Sequence, residues 1–269
     1  MSVSRVAVIT GASAGIGAAA ARRFARGGYR VALAARRQAR LEALAHEIRA
    51  AGGEALPIPT DVTDPEQVQR LAQRVQATWG RADVLINNAG LGRLAPLTEL
   101  HPVDDIQFQI QVNLTGAIWV ARAFVPLMRA QGGGVIVNVS SVAGWVGLPH
   151  YSVYSATKFG LRGFTEALRR EVAADGIRVV GLYPGPVYTE FGQHAFKNPA
   201  DRPRVAPRGL VLSAEAVAET IWRLAHRGRR GVVTPWWMGP LVWLNAHWPW
   251  LGDWILGRAM GRSRREGVQ

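Results

Sequence analysis

The sequence predicts an α/β fold: one domain, 1–234, built on a doubly wound parallel sheet and followed by an apolar C-terminal extension, 235–269. Three observations predict it. Short, nearly all-apolar runs alternate with longer amphipathic ones, as strands buried on both faces by helices do. The first apolar run ends in a glycine-rich turn that opens a helical pattern. No internal repeat or long linker interrupts the alternation before residue 190. At 269 residues, 48% of them hydrophobic, the chain can bury a full core.

The elements follow in order. Val6–Thr10 reads as the first strand, and Thr10-Gly11-Ala12-Ser13-Ala14-Gly15-Ile16-Gly17 as the turn into a helix. Missing side chains there let a pyrophosphate approach the backbone, and the helix start supplies amide donors and a favourable dipole. Gly11, Ser13, Gly15, Ile16 and Gly17 are therefore candidate cofactor contacts. The same residues fit G-x-S-x-G, a hydrolase nucleophile elbow. That motif needs strands and an oxyanion loop upstream, and ten residues leave no room for them. The second strand, Val31–Ala35, ends without an acid and is followed by Arg36 and Arg37. A carboxylate here would accept from a free ribose 2′-hydroxyl. Guanidinium groups match a 2′-phosphate instead, which favours NADP over NAD. The alternative is that both arginines are, with Arg40, the solvated start of a helix over Gln38–Ala51. Strands Ala55–Ile58, Val84–Ile86, Val135–Val139 and Val179–Tyr183 follow, with helices over Pro65–Trp79 and 151–173. Residues 192–209, rich in Pro and Arg, read as a loop, and 213–227 as a helix.

In order along the chain, "TGASAGIG" at 10–17, "DVTD" at 61–64, "NNAG" at 87–90, Asn113, "VNVSS" at 137–141, "YSATK" at 154–158 and "PGPVYT" at 184–189 resemble the short-chain dehydrogenase/reductase family over roughly residues 5–235. The resemblance implies a Rossmann-type sheet of about seven parallel strands and hydride transfer between a nicotinamide and an alcohol or carbonyl. It also implies that Asp61 and Val62 border the adenine, Asn88 the adenosine ribose, and Val187 and Thr189 the nicotinamide carboxamide. All of these fall at expected strand ends, where open α/β sheets bind ligands.

Two tyrosines compete for the chemistry. On a helix over 151–173, residues four apart share a face. Tyr154 has Lys158 there, and Tyr151 has Ser155. Carbonyl reduction needs a proton donor, a free tyrosine titrates near about 10, and an adjacent ammonium lowers that value. Tyr154 is therefore the candidate acid/base and Tyr151 a pocket wall. Ser140 and Ser141 both follow a strand, whose successive residues face opposite sides. The family's active serine lies thirteen positions before its tyrosine, which selects Ser141 to hydrogen-bond the substrate oxygen. By the same resemblance Asn113 anchors a water relaying protons to Lys158, and Lys158 also holds the nicotinamide ribose. A helix kink or a buried amide is the structural alternative for Asn113.

Cysteine is absent and the six histidines show no metal-ligand spacing, so no metal is expected. His150 lies near the pocket, and Asp104 and Asp105 read as a solvated helix start. No secretory signal precedes Val6, which places the chain in the cytoplasm. The net charge of +13 comes almost wholly from arginine, since Lys158 and Lys197 are the only lysines. No basic run interleaved with aromatics occurs in the first 200 residues, so no nucleic-acid partner is expected. Six of the ten tryptophans fall between Trp236 and Trp254, and Arg258, Arg262, Arg264 and Arg265 follow. Prolines, Asn245, His247 and Asp253 interrupt the run, so it is no clean spanning helix. The extension either closes the substrate pocket, packs on another subunit of a homo-oligomer, or makes peripheral membrane contact through 235–265. The expected activity is NADP-dependent oxidoreduction of a small hydrophobic carbonyl or secondary alcohol. A nucleotide-sensing protein without turnover is the rival, though a sensor has no need of an acid.

Overall fold

The computed structural model describes residues 4–196, 211–228 and 230–254. Its centre is a seven-stranded sheet in the order β3-β2-β1-β4-β5-β6-β7, every pairing parallel. The strands are β1 (Val6–Thr10), β2 (Arg30–Ala35), β3 (Glu54–Pro59), β4 (Val84–Asn87), β5 (Gly134–Val139), β6 (Ile177–Pro184) and β7 (Gly231–Thr234). Crossover helices cover both faces, so β1 and β4 are buried along their whole length. The chain winds outward from β1 through β2 to β3, then returns to β4 on the other side of β1. The crevice at that reversal, outside the carboxyl ends of β1 and β4, is where such sheets bind ligands.

One face packs on α1 (Gly15–Arg26), α2 (Gln38–Ala50) and α8 (Ala214–His226), with Phe24, Leu41 and Ile221 fully buried. The other face packs on α3 (Pro65–Trp79), α5 (Gly116–Ala130) and α6 (Ser152–Glu171), with Leu71, Phe124 and Met128 buried. Asp64 starts α3 by accepting from the amides of Glu66 and Gln67, and Gly80 ends it in the left-handed conformation.

A continuous helix, Pro102–Ala130, is long and apolar enough to cross a membrane by length and composition. In this fold its Val120, Ala121, Phe124 and Met128 are buried against the sheet. Within it, α4 (Phe108–Ile110) and α5 are α-helical, while Pro102–Gln107 and Gln111–Thr115 are wound as π-helix. The expectation of a solvated start fails for Asp105. It is buried, accepts from the His101 amide at 2.9 Å and lies 3.6 Å from Arg93.

The loop expected over 192–209 begins as helix: α7 is Glu190–His194. Residues 197–210 lie outside the described residues, as do Arg258, Arg262, Arg264 and Arg265. The extension leaves β7 into α9 (Met238–His247), which meets β7, and Met238 sits against Gly185 at the end of β6.

Candidate active site

The glycine turn is shaped by backbone proximity. Gly11 and Gly15 adopt the left-handed conformation, φ +66° and +52°. A Cβ on Gly17 would stand 2.2 Å from the Gly11 carbonyl oxygen, so only glycine lets the helix start this close to the strand. Asn88 fastens the β4 loop to this turn. Its side-chain amide donates to the carbonyls of Thr10 and Gly11 at 3.0 and 3.3 Å, and the Asn88 and Ala89 amides donate to Thr10 Oγ1. Ala14 at the N-cap of α1 makes no side-chain cap, and the first turn has no acid. Uncapped amides and an uncompensated dipole therefore face the crevice, the donor set a pyrophosphate requires.

At the end of β2, Arg37 donates through Nε and Nη2 to Ser13 Oγ at 3.1 and 3.0 Å. Arg36 lies 4.0 Å from Asp61 and over the Phe108 ring. No acid occupies the strand end itself, so Arg36 and Arg37 are the charged groups that the end of β2 offers a nicotinamide cofactor. Asp61 accepts from Thr63 at both the amide and the hydroxyl, which shapes the loop after β3. Val62 is buried against α5, where a Cβ on Gly116 would meet it at 2.9 Å.

Across the crevice, α6 brings Tyr154 and Lys158 to the end of β5. Ser141 begins the turn after β5, its hydroxyl accepting from the Ala143 amide at 3.1 Å and donating to the Pro184 carbonyl at 3.5 Å. Ser140 faces the other way, buried, donating to the Lys158 carbonyl at 3.1 Å. Gly144 permits this packing, because a Cβ there would lie 2.7 Å from the Lys158 carbonyl oxygen. Lys158 Nζ donates to the Val139 carbonyl at 3.2 Å and stands 5.6 Å from the Tyr154 ring centre. Asn113 is fully buried in the π-wound stretch. Its Oδ1 accepts from the Leu91 amide and its Nδ2 donates to the Leu91 carbonyl, both at 2.8 Å. Gly90 lies between Asn113 and Lys158: its Cβ would be 3.3 Å from Asn113 Oδ1 and 3.6 Å from Lys158 Nζ.

The electrostatics of the protein alone correct one expectation. Burial pushes the Tyr154 hydroxyl well above the usual tyrosine range; the nearby Ser141 hydroxyl opposes this and the neighbouring Tyr151 adds to it. Burial also lowers Lys158 to about 8. The expected lowering by Lys158 is absent from the protein alone, where the ammonium donates to the Val139 carbonyl rather than to the phenol oxygen. Tyr154 is therefore held in its protonated form.

Tyr151 packs edge-on against Tyr154 and Phe196, and Phe191 of α7 lies on Tyr154 with ring centres 5.6 Å apart. Leu94, Ala143 and Ala195 form a small apolar cluster with Tyr154, against which Tyr151 and Phe196 pack. His150 takes the left-handed conformation, φ 68°, in the loop leading to α6. Val187 and Tyr188 are pinned by backbone bonds between 186–188 and Leu212, and Thr189 stands against Gly15. Sequence reasoning missed Glu190 and Phe191. Neither belongs to a recognisable spacing, and both reach the site from α7. Among the described residues no cluster of acids and histidines could hold a metal ion.

Comparison with known proteins places these features in a family. The profile of the family described as short chain dehydrogenase matches residues 5–200. An uncharacterized oxidoreductase of Staphylococcus aureus strain MRSA252 is 34% identical over 222 residues, 82% of this chain and 93% of the relative. A metagenomic short-chain oxidoreductase solved in complex with NADP is 34% identical with a TM-score of 0.73, covering 87% of this chain and 98% of its own. A short-chain dehydrogenase/reductase from Burkholderia phymatum solved with NAD is 30% identical with a TM-score of 0.82, covering 93% and 95%.

Proposed function

This chain belongs to the short chain dehydrogenase family of nicotinamide-dependent oxidoreductases, and from that premise we propose that it reduces a hydrophobic carbonyl with NADP as its cofactor. The observation that carries this reading is the meeting of Ser141, Tyr154 and Lys158 at the carboxyl end of β5, with the ammonium 5.6 Å from the Tyr154 ring centre and held by the Val139 carbonyl. Bound NADPH supplies the hydride. Ser141 orients the carbonyl oxygen by donating to it as charge develops. Tyr154 gives that oxygen its proton. Lys158 would then return a proton to the tyrosinate and be reprotonated from solvent through a water anchored by Asn113, both residues lying against Gly90. The uncapped start of α1 and Arg36, Arg37 and Ser13 would hold the pyrophosphate and 2′-phosphate.

The apolar cluster of Leu94, Ala143 and Tyr151 supports a hydrophobic substrate. Consumption of NADPH against aliphatic ketones, steroids, quinones and acyl thioesters tests the reading. Turnover of at least one class is expected, and binding of NADPH without turnover of any would overturn it.

We also propose that the C-terminal face contacts an anionic membrane. Trp236, Trp243, Trp248, Trp250 and Trp254 are all exposed, Trp236 by 82%. In α9, an apolar helix, Val242 alone is buried. Exposed tryptophan suits the headgroup region. The net charge of +13 is opposite to that of an anionic bilayer and the same as that of a second copy.

A further inference from the structure

Among the described residues, the arginines at the end of β2 already hold an anion. Arg37 Nη1 donates to Glu190 Oε2 at 3.1 Å, and Arg40 Nη1 to Glu190 Oε1 at 2.5 Å. Glu190 lies about 150 residues further along the chain, as the first residue of α7. The same Arg37 donates its remaining edge to Ser13. Around Glu190 the chain touches two more parts of the site. Thr189 stands against Gly15 in the pyrophosphate turn, and Phe191 lies on the ring of Tyr154. Three consecutive residues thus span the arginine cluster, the glycine turn and the candidate acid.

We infer that Glu190 is a latch, tying the substrate-side segment to Arg37 and Arg40 and competing with the cofactor's 2′-phosphate for those guanidinium groups. The inference rests on the NADP reading of the site. A carboxylate and a phosphate are both bidentate acceptors for the same guanidinium fork, and both are anions. Arg40, then Arg37, hold the Glu190 carboxyl below the usual carboxylate range, so it is ionised at neutral pH. A 2′-phosphate arriving at Arg37 meets that charge at contact distance, and the carboxylate is displaced. The ion pairs are displaceable because both partners are close to half exposed and screened by water. A cofactor with a free 2′-hydroxyl brings no anion there, so the latch stays closed. The two cofactors would therefore leave the segment 186–196, and with it Phe191 over Tyr154, in different states.

Titration of the full chain with 2′,5′-ADP and with 5′-ADP, before and after Glu190→Gln, tests this without turnover. Glutamine keeps the size and a hydrogen-bonding carbonyl but removes the competing charge. The expected result is a two- to fivefold tightening of 2′,5′-ADP, the scale of an exposed ion pair, with 5′-ADP unchanged and the gain shrinking in high salt. Hydrogen exchange across 186–196 should rise with 2′,5′-ADP and not with 5′-ADP. A native preference for 2′,5′-ADP that Glu190→Gln leaves unaltered overturns the latch alone. Equal native affinity for the two probes overturns the NADP reading and the latch with it.

Discussion

On the amino-terminal side of the crevice the wall is backbone, whereas on the carboxyl-terminal side it is large side chains. A Cβ on Gly11 would lie 2.9 Å from Ala89 Cα, and one on Gly17 would overlap the Gly11 carbonyl. Opposite, Tyr188 is 80% exposed, Phe191 rests on Tyr154, and Gly192 has nothing within 4 Å of its missing Cβ. A wall of backbone tolerates few residue types and recognises what every dinucleotide shares. A wall of side chains is free to vary, and choice of substrate is built there. Tyr154 stands where the two meet.

The contrast is broken most severely at that meeting point. Tyr154→Phe keeps the ring against Tyr151 and Phe191 but removes the proton. Turnover should fall by about 10²–10⁴-fold, with NADPH binding nearly intact. Tyr151→Phe should change the Michaelis constant more than turnover, and the reverse pattern in steady-state kinetics would reassign the acid.

A second expectation concerns the cost of the buried ammonium. Lowering Lys158 from 10.5 to about 8 means the unfolded chain binds more protons between those values, so this group's contribution to stability rises with pH across that window. Below pH 8 the penalty is complete, on the order of 3 kcal/mol. Lys158→Met should therefore raise the melting temperature at pH 7 while abolishing turnover, and the gain should fade toward pH 10.5. A lower melting temperature at pH 7 would show that the Val139 hydrogen bond outweighs desolvation.

The two walls are compared directly by adding one methyl to each. Gly17→Ala drives its Cβ into the Gly11 carbonyl and should cost about 1–3 kcal/mol in stability, with weaker NADPH binding. Gly192→Ala meets open space and should be neutral in both thermal melts and titration. Equal effects would erase the distinction between the walls.

The smallest effect on the cofactor is expected from deleting residues from 236 onward. NADPH affinity should be unchanged, because the cradle lies at Gly11–Gly17 and Arg37. Co-sedimentation of the intact chain with anionic vesicles should be strong at low salt, weaker at high salt and absent after deletion. A truncated chain that still co-sediments would remove the tryptophan face from membrane contact.

Much of this site was readable from the sequence because its signals are local. A strand's apolar run, the turn from Thr10 to Gly17, and Tyr154 one helical turn from Lys158 each depend on residues a few positions apart. Helix α3 matches its expected bounds, Pro65–Trp79, since its cap and its glycine stop are in the sequence. Strand β7 was not legible: four residues with an exposed first position have too little pattern, and pairing with β6 makes them a strand.

By itself the sequence determined the winding of the sheet, the glycine turn, and which tyrosine has a lysine on its face. Tertiary structure decided the rest. It set Ser141 against the Pro184 carbonyl and Ser140 against the Lys158 carbonyl, buried Asp105 against Arg93, and brought Glu190 to Arg37 and Arg40 across some 150 residues. It also reversed the expected shift of Tyr154, because the free energy of a charge depends on the water removed around it, and no spacing along a chain records how much water a fold excludes.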